Sequence, residues 1–408
     1  MLRILFKHMN TLVDKVTEDL YVLRVDDRET KYFEALWSIP EGITYNAYLL
    51  VGEKVVLFDS WKAVFAEKFL ETLRKIVDPR DIDYIVVHHM EPDHSGSIPK
   101  VLEENGNKAE VLGHPLAKGM LESFYGIKPK FKAVKDGEVL EAGRKLRFIY
   151  APWLHWPETI MTFIGDLGVL LTCDAFGGFS IPSSIFDEEN VLDKYLPYVR
   201  KYIIDIVGHY SSYILKAVDK LKSLNISPEV IAPAHGLVFK NNPSAIIDYY
   251  VKVAKGEPAE GKVTVVYGSM YGFVKKAISV ILDELEKRGF KPVVHAFTDK
   301  VQASMGDILA DVIDSEAVVL GAATYEAEVF PLMMYFAELL SRKIKVSKPV
   351  LVVSSYGWGG VAGKRLSAKL SEAGFNVVDV VEFRGAVRDS DVAKLRESVS
   401  KLIDAIKG

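Results

Sequence analysis

The sequence predicts two domains: a strand-rich α+β sandwich with covering helices, followed by an α/β doubly wound parallel sheet. The chain has 408 residues, more than one ordinary hydrophobic core accommodates. Short β-branched runs dominate its first part, whereas strands and helices alternate strictly in its last part. The polar stretch KGEPAEGKVT, residues 255–264, separates the two patterns. We therefore expect domains over residues 1–254 and 263–408, joined by a linker over residues 255–262.

Composition narrows the class of protein. A hydrophobic content of 49% is typical of a globular fold, and the net charge of -4 gives no reason to expect nucleic acid or a membrane as partner. No apolar run is long enough to span a bilayer, and the N-terminal apolar stretch is too short for a signal peptide, so we expect a cytoplasmic protein. Cys173 is the only cysteine, which excludes an internal disulfide and a rubredoxin-type or ferredoxin-type cysteine cluster within the chain.

The first domain contains many predicted strands and a few helical stretches. Strands with helices outside them predict a two-sheet sandwich. The helical patterns cover residues 62–76 and 192–224. The strand candidates are YVLRV, NAYLLV, VVLFD, YIVVHH, LRFIYA, MTFIG, VLLTCD and VIAPAH.

The second domain alternates five strands with five helices. Parallel strands require crossover helices, so this rhythm predicts a parallel sheet of the flavodoxin-like kind. The predicted strands cover residues 263–267, 292–297, 317–321, 349–355 and 376–383. The predicted helices cover residues 273–288, 301–313, 331–344, 362–373 and 392–406.

The segment HHMEPDHSGS, residues 88–97, concentrates metal-ligating residue types. If the segment is extended, the side chains of His89, Glu91 and Asp93, at every second position, point to the same side. The side chain of His94 then points in a different direction. Pro92 disfavours a helix there. Two carboxylates so close are costly without a cation. The segment therefore predicts a metal site.

The alternative is a helix cap. Asp93 or Ser95 would then cap a helix beginning near Ile98. A cap accounts for one or two of these residues, but not for the whole set.

The remaining histidines and the cysteine carry weaker signals. His88 points away from His89 on a strand, so we expect it to be packed or to lie behind the ligands. Cys173 should face away from its neighbour Asp174 and act as a small buried hydrophobe. Four histidines lack ligand-type neighbours and are expected at the surface or satisfied in the core: His8, His114, His209 and His295.

Three further candidates follow or close predicted strands. His155 lies in PWLHWPET, Asp174 ends VLLTCD and His235 ends VIAPAH. The order H-x-E-x-D-H, then His, Asp and His, resembles the flavodiiron family. That resemblance implies a metallo-β-lactamase-like αββα sandwich for the first domain. Hydrolases of this fold usually show H-x-H-x-D-H, and here Glu91 replaces the second histidine.

The resemblance also implies a non-haem site with two Fe ions. Mixed carboxylate and imidazole ligands suit iron, and a bridging carboxylate holds two metals about 3.5–4 Å apart. By resemblance, one iron takes His89, Glu91 and His155, the other takes Asp93, His94 and His235, and Asp174 bridges them.

The sequence VTVVYGSMYGFVKKA predicts a strand, an anion-binding loop and a helix. The loop suits a terminal monophosphate, since it lacks P-loop and dinucleotide-fold signatures. Two more loops, GAATYEAEVFP and SSYGWGG, follow the third and fourth strands, which lie beside the first in a 2-1-3-4-5 sheet. Their aromatic side chains offer flat faces to a flavin. The alternative is that Tyr356 and Trp358 merely plug the end of the sheet.

These loops resemble the FMN site of flavodiiron proteins. Two departures stand out: Phe273 replaces a residue that is commonly small and polar, and Ala323 replaces a frequent proline. The implied FMN-binding residues are Ser269, Met270, Tyr271, Gly272, Phe273, Ala322, Ala323, Thr324, Tyr325, Ser355, Tyr356, Gly357, Trp358 and Gly359.

The resemblance implies an oxidoreductase that passes electrons from a separate donor, such as a rubredoxin or a reduced soluble cofactor, through FMN to the diiron site. The implied reactions are reduction of O2 to water, of NO to N2O, or both. A head-to-tail homodimer, or a dimer of such dimers, is expected. The alternatives are a zinc hydrolase with an accessory flavodoxin-like module, and an electron-transfer flavoprotein with vestigial metals.

Overall fold

The computed structural model describes residues 10–408, and the predicted placement of His8 therefore lies outside the described residues. The described chain divides into two compact units. The first extends to Ile203 and continues over Tyr210–Val251, whereas the second comprises Ile204–His209 and Lys252–Gly408.

The first unit contains a two-sheet sandwich, as the sequence predicts. One sheet has the order β1-β2-β5-β6-β7-β8-β9, beside a small β3-β4 hairpin, and the other has the order β10-β11-β12-β13-β14. The strands of the first sheet and the hairpin are β1 (Thr11–Lys15), β2 (Leu20–Asp27), β3 (Tyr32–Phe33), β4 (Trp37–Ser38), β5 (Ile43–Val51), β6 (Val55–Phe58), β7 (Tyr84–Val87), β8 (Glu110–Gly113) and β9 (Phe131–Ala133). The strands of the second sheet are β10 (Val139–Glu141), β11 (Lys145–Tyr150), β12 (Ile160–Ile164), β13 (Val169–Cys173) and β14 (Val230–Pro233).

The inward faces of both sheets form one apolar core. Val22 and Phe58 from the first sheet pack into the same cluster as Phe148 and Leu171 from the second. The helices in this part of the chain are α1 (Ala66–Leu73), α2 (Pro92–Ser95), α3 (Ile98–Glu104), α4 (Pro115–Tyr125), α5 (Val191–Tyr202), α6 (Ser211–Ser223) and α7 (Pro243–Ala254).

The second unit contains a sheet of order β16-β15-β17-β19-β20, with the short β18 paired antiparallel to β17. In strand order within the unit this is 2-1-3-4-5, which confirms the predicted topology. The strands are β15 (Lys262–Gly268), β16 (Lys291–Phe297), β17 (Ala317–Tyr325), β18 (Glu328–Val329), β19 (Pro349–Tyr356) and β20 (Asn376–Arg384). The helices are α8 (Phe273–Lys287), α9 (Met305–Ile313), α10 (Pro331–Lys343), α11 (Ala362–Glu372) and α12 (Asp389–Lys407).

Several predicted helix limits were wrong. The stretch from 192 to 224 is not one helix, because a π-helical turn over Ile203–Val207 and a 3-10 turn over Gly208–Tyr210 separate α5 from α6. Helix α9 begins four residues later than predicted, since Thr298 Oγ1 accepts the Val301 N–H and holds a turn there. Helix α12 begins three residues earlier than predicted, and Asp391 accepts the N–H of Arg388 at its start.

No helix within residues 10–408 combines the length and the apolar character that a bilayer span requires.

Candidate metal centre and flavin cleft

The loop after β7 carries the first metal-type residues, and its conformation differs from the predicted extended chain. Residues Pro92–Ser95 form one helical turn, with Glu91 at the N-cap. Proline is tolerated at the first helical position, because an N–H there has no acceptor within the helix. The prediction that Pro92 disfavours a helix there was therefore wrong. The turn sends Glu91 and Asp93 to different groups of histidines.

Four side chains form the first group: His89, Glu91, His155 and Asp174, whose ligand atoms all lie within 4.8 Å of one another. Glu91 Oε2 lies 2.9 Å from His155 Nε2 and 3.3 Å from His89 Nε2. Asp174 Oδ2 lies 3.3 Å and 3.4 Å from the same two nitrogens. A carboxylate pair and two imidazoles thus converge on one position.

Asp93, His94 and His235 form the second group, within the same mutual distance. Asp174 reaches this group with its other oxygen: Oδ1 lies 2.9 Å from His94 Nε2 and 3.2 Å from His235 Nε2. The two oxygens of one buried carboxylate therefore face different groups, which is the arrangement of a bridging ligand in a two-metal site.

The unsatisfied polar atoms fit bound cations. Five buried atoms in these groups make no hydrogen bond: both oxygens of Asp93, Oδ2 of Asp174, and Nε2 of His94 and of His235. Buried polar atoms are otherwise almost always hydrogen-bonded. Metal ions would give each of these atoms a partner, so the residues present fit a pair of metals.

The electrostatics of the groups also call for positive charge. Burial opposes protonation of His89, but hydrogen bonds to Glu158 and Glu91 outweigh it and raise its pKa to about 10. Two more histidines have raised pKa values because nearby carboxylates outweigh the same burial: His94 to about 9 and His155 to about 10. The raised pKa values show that three carboxylates buried together favour positive charge at this position, which metal cations would supply.

Three hydrogen bonds orient the candidate ligands from behind. His89 Nδ1–H donates to Glu158 Oε1 at 2.8 Å, and His235 Nδ1–H donates to the backbone oxygen of Thr44 at 2.8 Å. Tyr202 Oη–H donates to Asp174 Oδ1 at 3.0 Å. Sequence reasoning missed all three partners. Glu158, three residues after His155 in PWLHWPET, was the one that a search for carboxylates near candidate histidines would have found.

The helix-cap alternative is wrong. Ser97 is the N-cap of α3 and makes no side-chain capping bond. Ser95 Oγ donates to the backbone oxygens of Met90 and Glu91, and Asp93 belongs to the second group.

The other histidines take structural roles, as expected. His88 Nδ1–H donates to Asp59 Oδ2 at 2.6 Å, and its Nε2 lies 2.8 Å from Thr162 Oγ1, so it is packed and satisfied. The three remaining described histidines are His114, which caps α4, His209, which is exposed, and His295, which contacts Asp311.

Cys173 is buried as predicted, but it does not face away from the site. Its sulfur lies within 4.8 Å of ligand atoms of His94 and Asp174. The pairing of β13 with β14 shifts register after Leu171, and Cys173 has a φ of 52°, so strand alternation ends before it. The prediction from simple alternation was therefore wrong.

A cleft of about 360 Å³ opens beyond the carboxyl ends of β15, β17 and β19. Trp358 is 87% exposed, so the alternative that it plugs the end of the sheet is wrong for this residue, whereas Tyr356 is half-buried. Tyr271, in the loop after β15, is 83% exposed. The lining residues are Ser269, Met270, Tyr271, Phe273, Val274, Ala323, Thr324, Tyr325, Glu326, Ser355, Tyr356, Gly357, Trp358 and Gly385. An apolar cleft with exposed aromatic faces beside a helix N-terminus fits a flavin mononucleotide.

The lining differs from the predicted set at its margins. Gly272, Ala322 and Gly359 do not line the cleft, whereas Val274, Glu326 and Gly385 do and were missed. Gly272 still shapes the loop, since its φ of 86° at the N-cap of α8 favours glycine. Gly385 follows β20, so the loop after the fifth strand also borders the cleft, and the sequence prediction did not include it.

The fold and the two sites together define a class of two-domain proteins that join a β-lactamase-like metal domain to a flavodoxin domain. The family model described as ODP family beta lactamase matches residues 43–236, and that described as Flavodoxin matches residues 265–401. The chain belongs to the flavodiiron protein family.

The relatives behind this assignment cover nearly the whole chain. A nitric oxide reductase of Moorella thermoacetica is 31% identical over 89% of this chain and 90% of its own length. A rubredoxin-oxygen oxidoreductase of Megalodesulfovibrio gigas is 27% identical over 96% and 98%. The structure of a mutant flavo di-iron protein from Thermotoga maritima superposes with a TM-score of 0.93 at 42% identity, covering 98% of this chain and 99% of that one.

Proposed function

We propose that this protein is a flavodiiron oxidoreductase that uses electrons from an external donor to reduce O2 to water, NO to N2O, or both. The observation that carries the proposal is Asp174, whose two carboxylate oxygens face the two groups of candidate ligands separately. When bound, FMN supplies electron transfer and the two irons supply gas reduction, while the protein positions both.

The proposed iron ligands are those that the resemblance implies. His89, Glu91 and His155 hold one iron, Asp93, His94 and His235 hold the other, and Asp174 bridges them. Three of the seven proposed ligands are carboxylates, and such a mixed site favours iron over zinc, whose sites are typically rich in imidazole.

The zinc-hydrolase alternative is disfavoured by the same residues. Glu91 stands where such hydrolases usually have histidine, and a hydrolase has no use for a flavin. The relatives are named nitric oxide reductase and rubredoxin-oxygen oxidoreductase, which supports redox chemistry.

The second unit is proposed to hold FMN by two kinds of contact. The loop around Ser269 and the first N–H groups of α8 bind the phosphate, because a helix N-terminus attracts anions. Thr324, Tyr356 and Trp358 position the ring. Thr324 Oγ1 already accepts N–H groups of Val361 and Ala362 at 3.3 Å, which fixes the loop beneath it.

The proposed assembly is a head-to-tail homodimer in which electrons pass from the flavin of one chain to the irons of the other. The donor is proposed to be a separate protein such as a rubredoxin, or a reduced soluble cofactor, because the chain has one cysteine and so no cysteine-ligated iron centre of its own. The domain limits at 254 and 263, and a location in the cytoplasm, stay predictions.

Metal analysis combined with gas consumption tests the proposal. Protein purified anaerobically with its metals should contain about two irons per chain and consume O2 or NO when a reduced donor is supplied. Asp174→Asn should lower iron content and activity while FMN content stays unchanged, because it damages only the bridge. Asp166→Asn, at an exposed carboxylate, is the matched control. Iron-reconstituted protein that reduces neither gas would contradict the proposal.

A further inference from the structure

Two neighbouring histidines after β7 each donate to a buried carboxylate, but only one of them faces the metal groups. His89 donates to Glu158 from Nδ1 and turns Nε2 toward Glu91 and Asp174, at 3.3 and 3.4 Å. His88 donates to Asp59, and its Nε2 contacts Thr162 instead. The segment after β7 thus contains two His–carboxylate pairs of the same chemistry, and only the His89 pair faces the metal groups.

Glu158 has few other partners. Its side chain is 1% exposed, and Oε1 also accepts the N–H of Met90 at 3.0 Å. Oε2 makes no hydrogen bond. Within residues 10–408, His89 is the only side chain in ion-pair contact with Glu158. The negative charge of Glu158 therefore acts mainly on the imidazole of His89.

In the second group, one of the two histidines, His235, has no such charged acceptor at Nδ1. His235 Nδ1–H donates to the backbone oxygen of Thr44, a neutral acceptor. A charged acceptor makes the stronger hydrogen bond and raises the basicity of a ligating imidazole more than a neutral one does. His89 is consequently the more electron-donating imidazole of the two.

We propose that Glu158 is a positioning residue that makes the two irons electronically unequal. By polarising His89, the Glu158 carboxylate would favour the ferric state of an iron bound on that side. The iron on the His89 side would then be the harder of the two to reduce. This inference rests on the proposed function, since it requires a diiron site fed by a flavin.

The experiment compares three proteins loaded with 57Fe: wild type, Glu158→Gln and Asp59→Asn. Glutamine keeps the length of Glu158 and removes its charge, whereas Asp59→Asn makes the same change at the pair that does not face the metals. Mössbauer spectra of the one-electron-reduced protein report how unequal the irons are. Redox titration followed by EPR reports their midpoint potentials.

We expect Glu158→Gln to shift the potential of the harder-to-reduce iron to a more positive value and to bring the two potentials closer. Its metal affinity should fall about 10- to 100-fold, as for other changes behind a ligating histidine. Asp59→Asn should leave both potentials unchanged. Unchanged potentials in Glu158→Gln with full iron content, or equal shifts in both variants, would overturn the inference.

Glu158→Asp, which retains the charge, covers the case in which the glutamine variant fails to hold iron. Recovery of iron and of the unequal spectrum in Glu158→Asp supports a role of the charge, and loss of iron in both variants contradicts it. Wild-type protein that binds FMN but no iron would instead refute the proposed function, so the two failures are distinguishable.

Discussion

Tyr202 Oη donates a hydrogen bond to Asp174 Oδ1 at 3.0 Å, and the two side chains lie fully buried at the end of α5 and just after β13. The same carboxylate oxygen faces the histidines of the second group. The hydroxyl therefore fixes the rotation of the carboxylate that faces both groups. A hydrogen bond to a charged group contributes roughly 1.5–3 kcal/mol.

Tyr202→Phe should loosen this carboxylate while keeping the ring. We expect a lower iron content after dialysis against a chelator, and a several-fold loss of gas-reducing activity, because the bridge is less well oriented. FMN content should not change. Tyr198→Phe, at a partly exposed tyrosine one turn earlier on α5, is the control. Iron retention equal to that of wild type would show that the hydrogen bond does not support the bridge.

The sequence revealed the candidate ligands but not what lies behind them. Ligand-type residues such as His89 and His235 follow predictable strands at a recognisable spacing, so pattern alone found them. Glu158, Thr44 and Tyr202 act through contacts between segments distant in sequence, and one of them contributes only a backbone oxygen. Glu158 at least lies three residues after His155 in the sequence, whereas Thr44 and Tyr202 have no signature of their own in a single sequence.

Local backbone departures account for the other errors. The helical turn at Pro92–Ser95 and the shift in register before Cys173 both override the regular alternation on which strand-based reasoning depends. The topology of the second unit was predictable, because its three central strands β15, β17 and β19 are largely buried and amphipathic helices connect the parallel strands.

Trp358→Ala should weaken flavin binding without affecting the metals. The indole is 87% exposed beside the cleft and offers a free aromatic face to the flavin. Stacking of this kind contributes about 0.5–1.5 kcal/mol beyond area burial, so we expect FMN dissociation to become roughly 2- to 10-fold more favourable. Flavin fluorescence after gel filtration measures the loss, and iron content serves as the control. Extracted cofactor that migrates as FAD on chromatography would refute the assignment of the cleft to FMN.

The lowered pKa of Lys348 predicts that the free energy of unfolding of the second unit depends on pH. Burial lowers its pKa to about 8, against the opposing charge of Asp314, and its Nζ donates to the backbone oxygen of Ser315 at 2.7 Å. The unfolded chain keeps this proton up to about pH 10.4. Between about pH 8 and pH 10.4 the folded protein has lost a proton that the unfolded chain retains, so the contribution of Lys348 to stability rises with pH.

Lys348→Met should remove the rise with pH of the contribution that Lys348 makes to the free energy of unfolding. We expect the difference in free energy of unfolding between wild type and variant to grow in favour of wild type by on the order of 1–3 kcal/mol from pH 7.5 to pH 10. Chemical denaturation followed by flavin release measures it, and Lys345→Met, at an exposed lysine, is the control. A difference that stays constant with pH would show that Lys348 keeps an ordinary pKa.

The proposed electron transfer between chains predicts complementation of two impaired variants, His235→Ala as purified and Trp358→Ala stripped of FMN by dialysis before mixing. His235→Ala damages a proposed iron ligand and leaves the flavin loops intact, whereas Trp358→Ala weakens the flavin cleft and leaves the metal groups intact. In a head-to-tail dimer of one chain of each kind, the intact flavin site of the His235→Ala chain faces the intact metal site of the Trp358→Ala chain. Random exchange makes about half of the dimers mixed, each with one productive pair, so about a quarter of the wild-type activity should return.

The control for this experiment mixes His235→Ala with Asp174→Asn, in which every chain has a damaged metal site and no pairing restores one. Subunit exchange is verified by mass spectrometry of differently tagged chains before gas consumption is measured. If exchange is complete and activity does not return, electrons must pass from the flavin to the irons within one chain. In every mixed dimer, each chain has either a damaged metal site or a damaged flavin cleft, so transfer within one chain is blocked in both. A stable monomer that retains full activity in solution would lead to the same conclusion without any mixing.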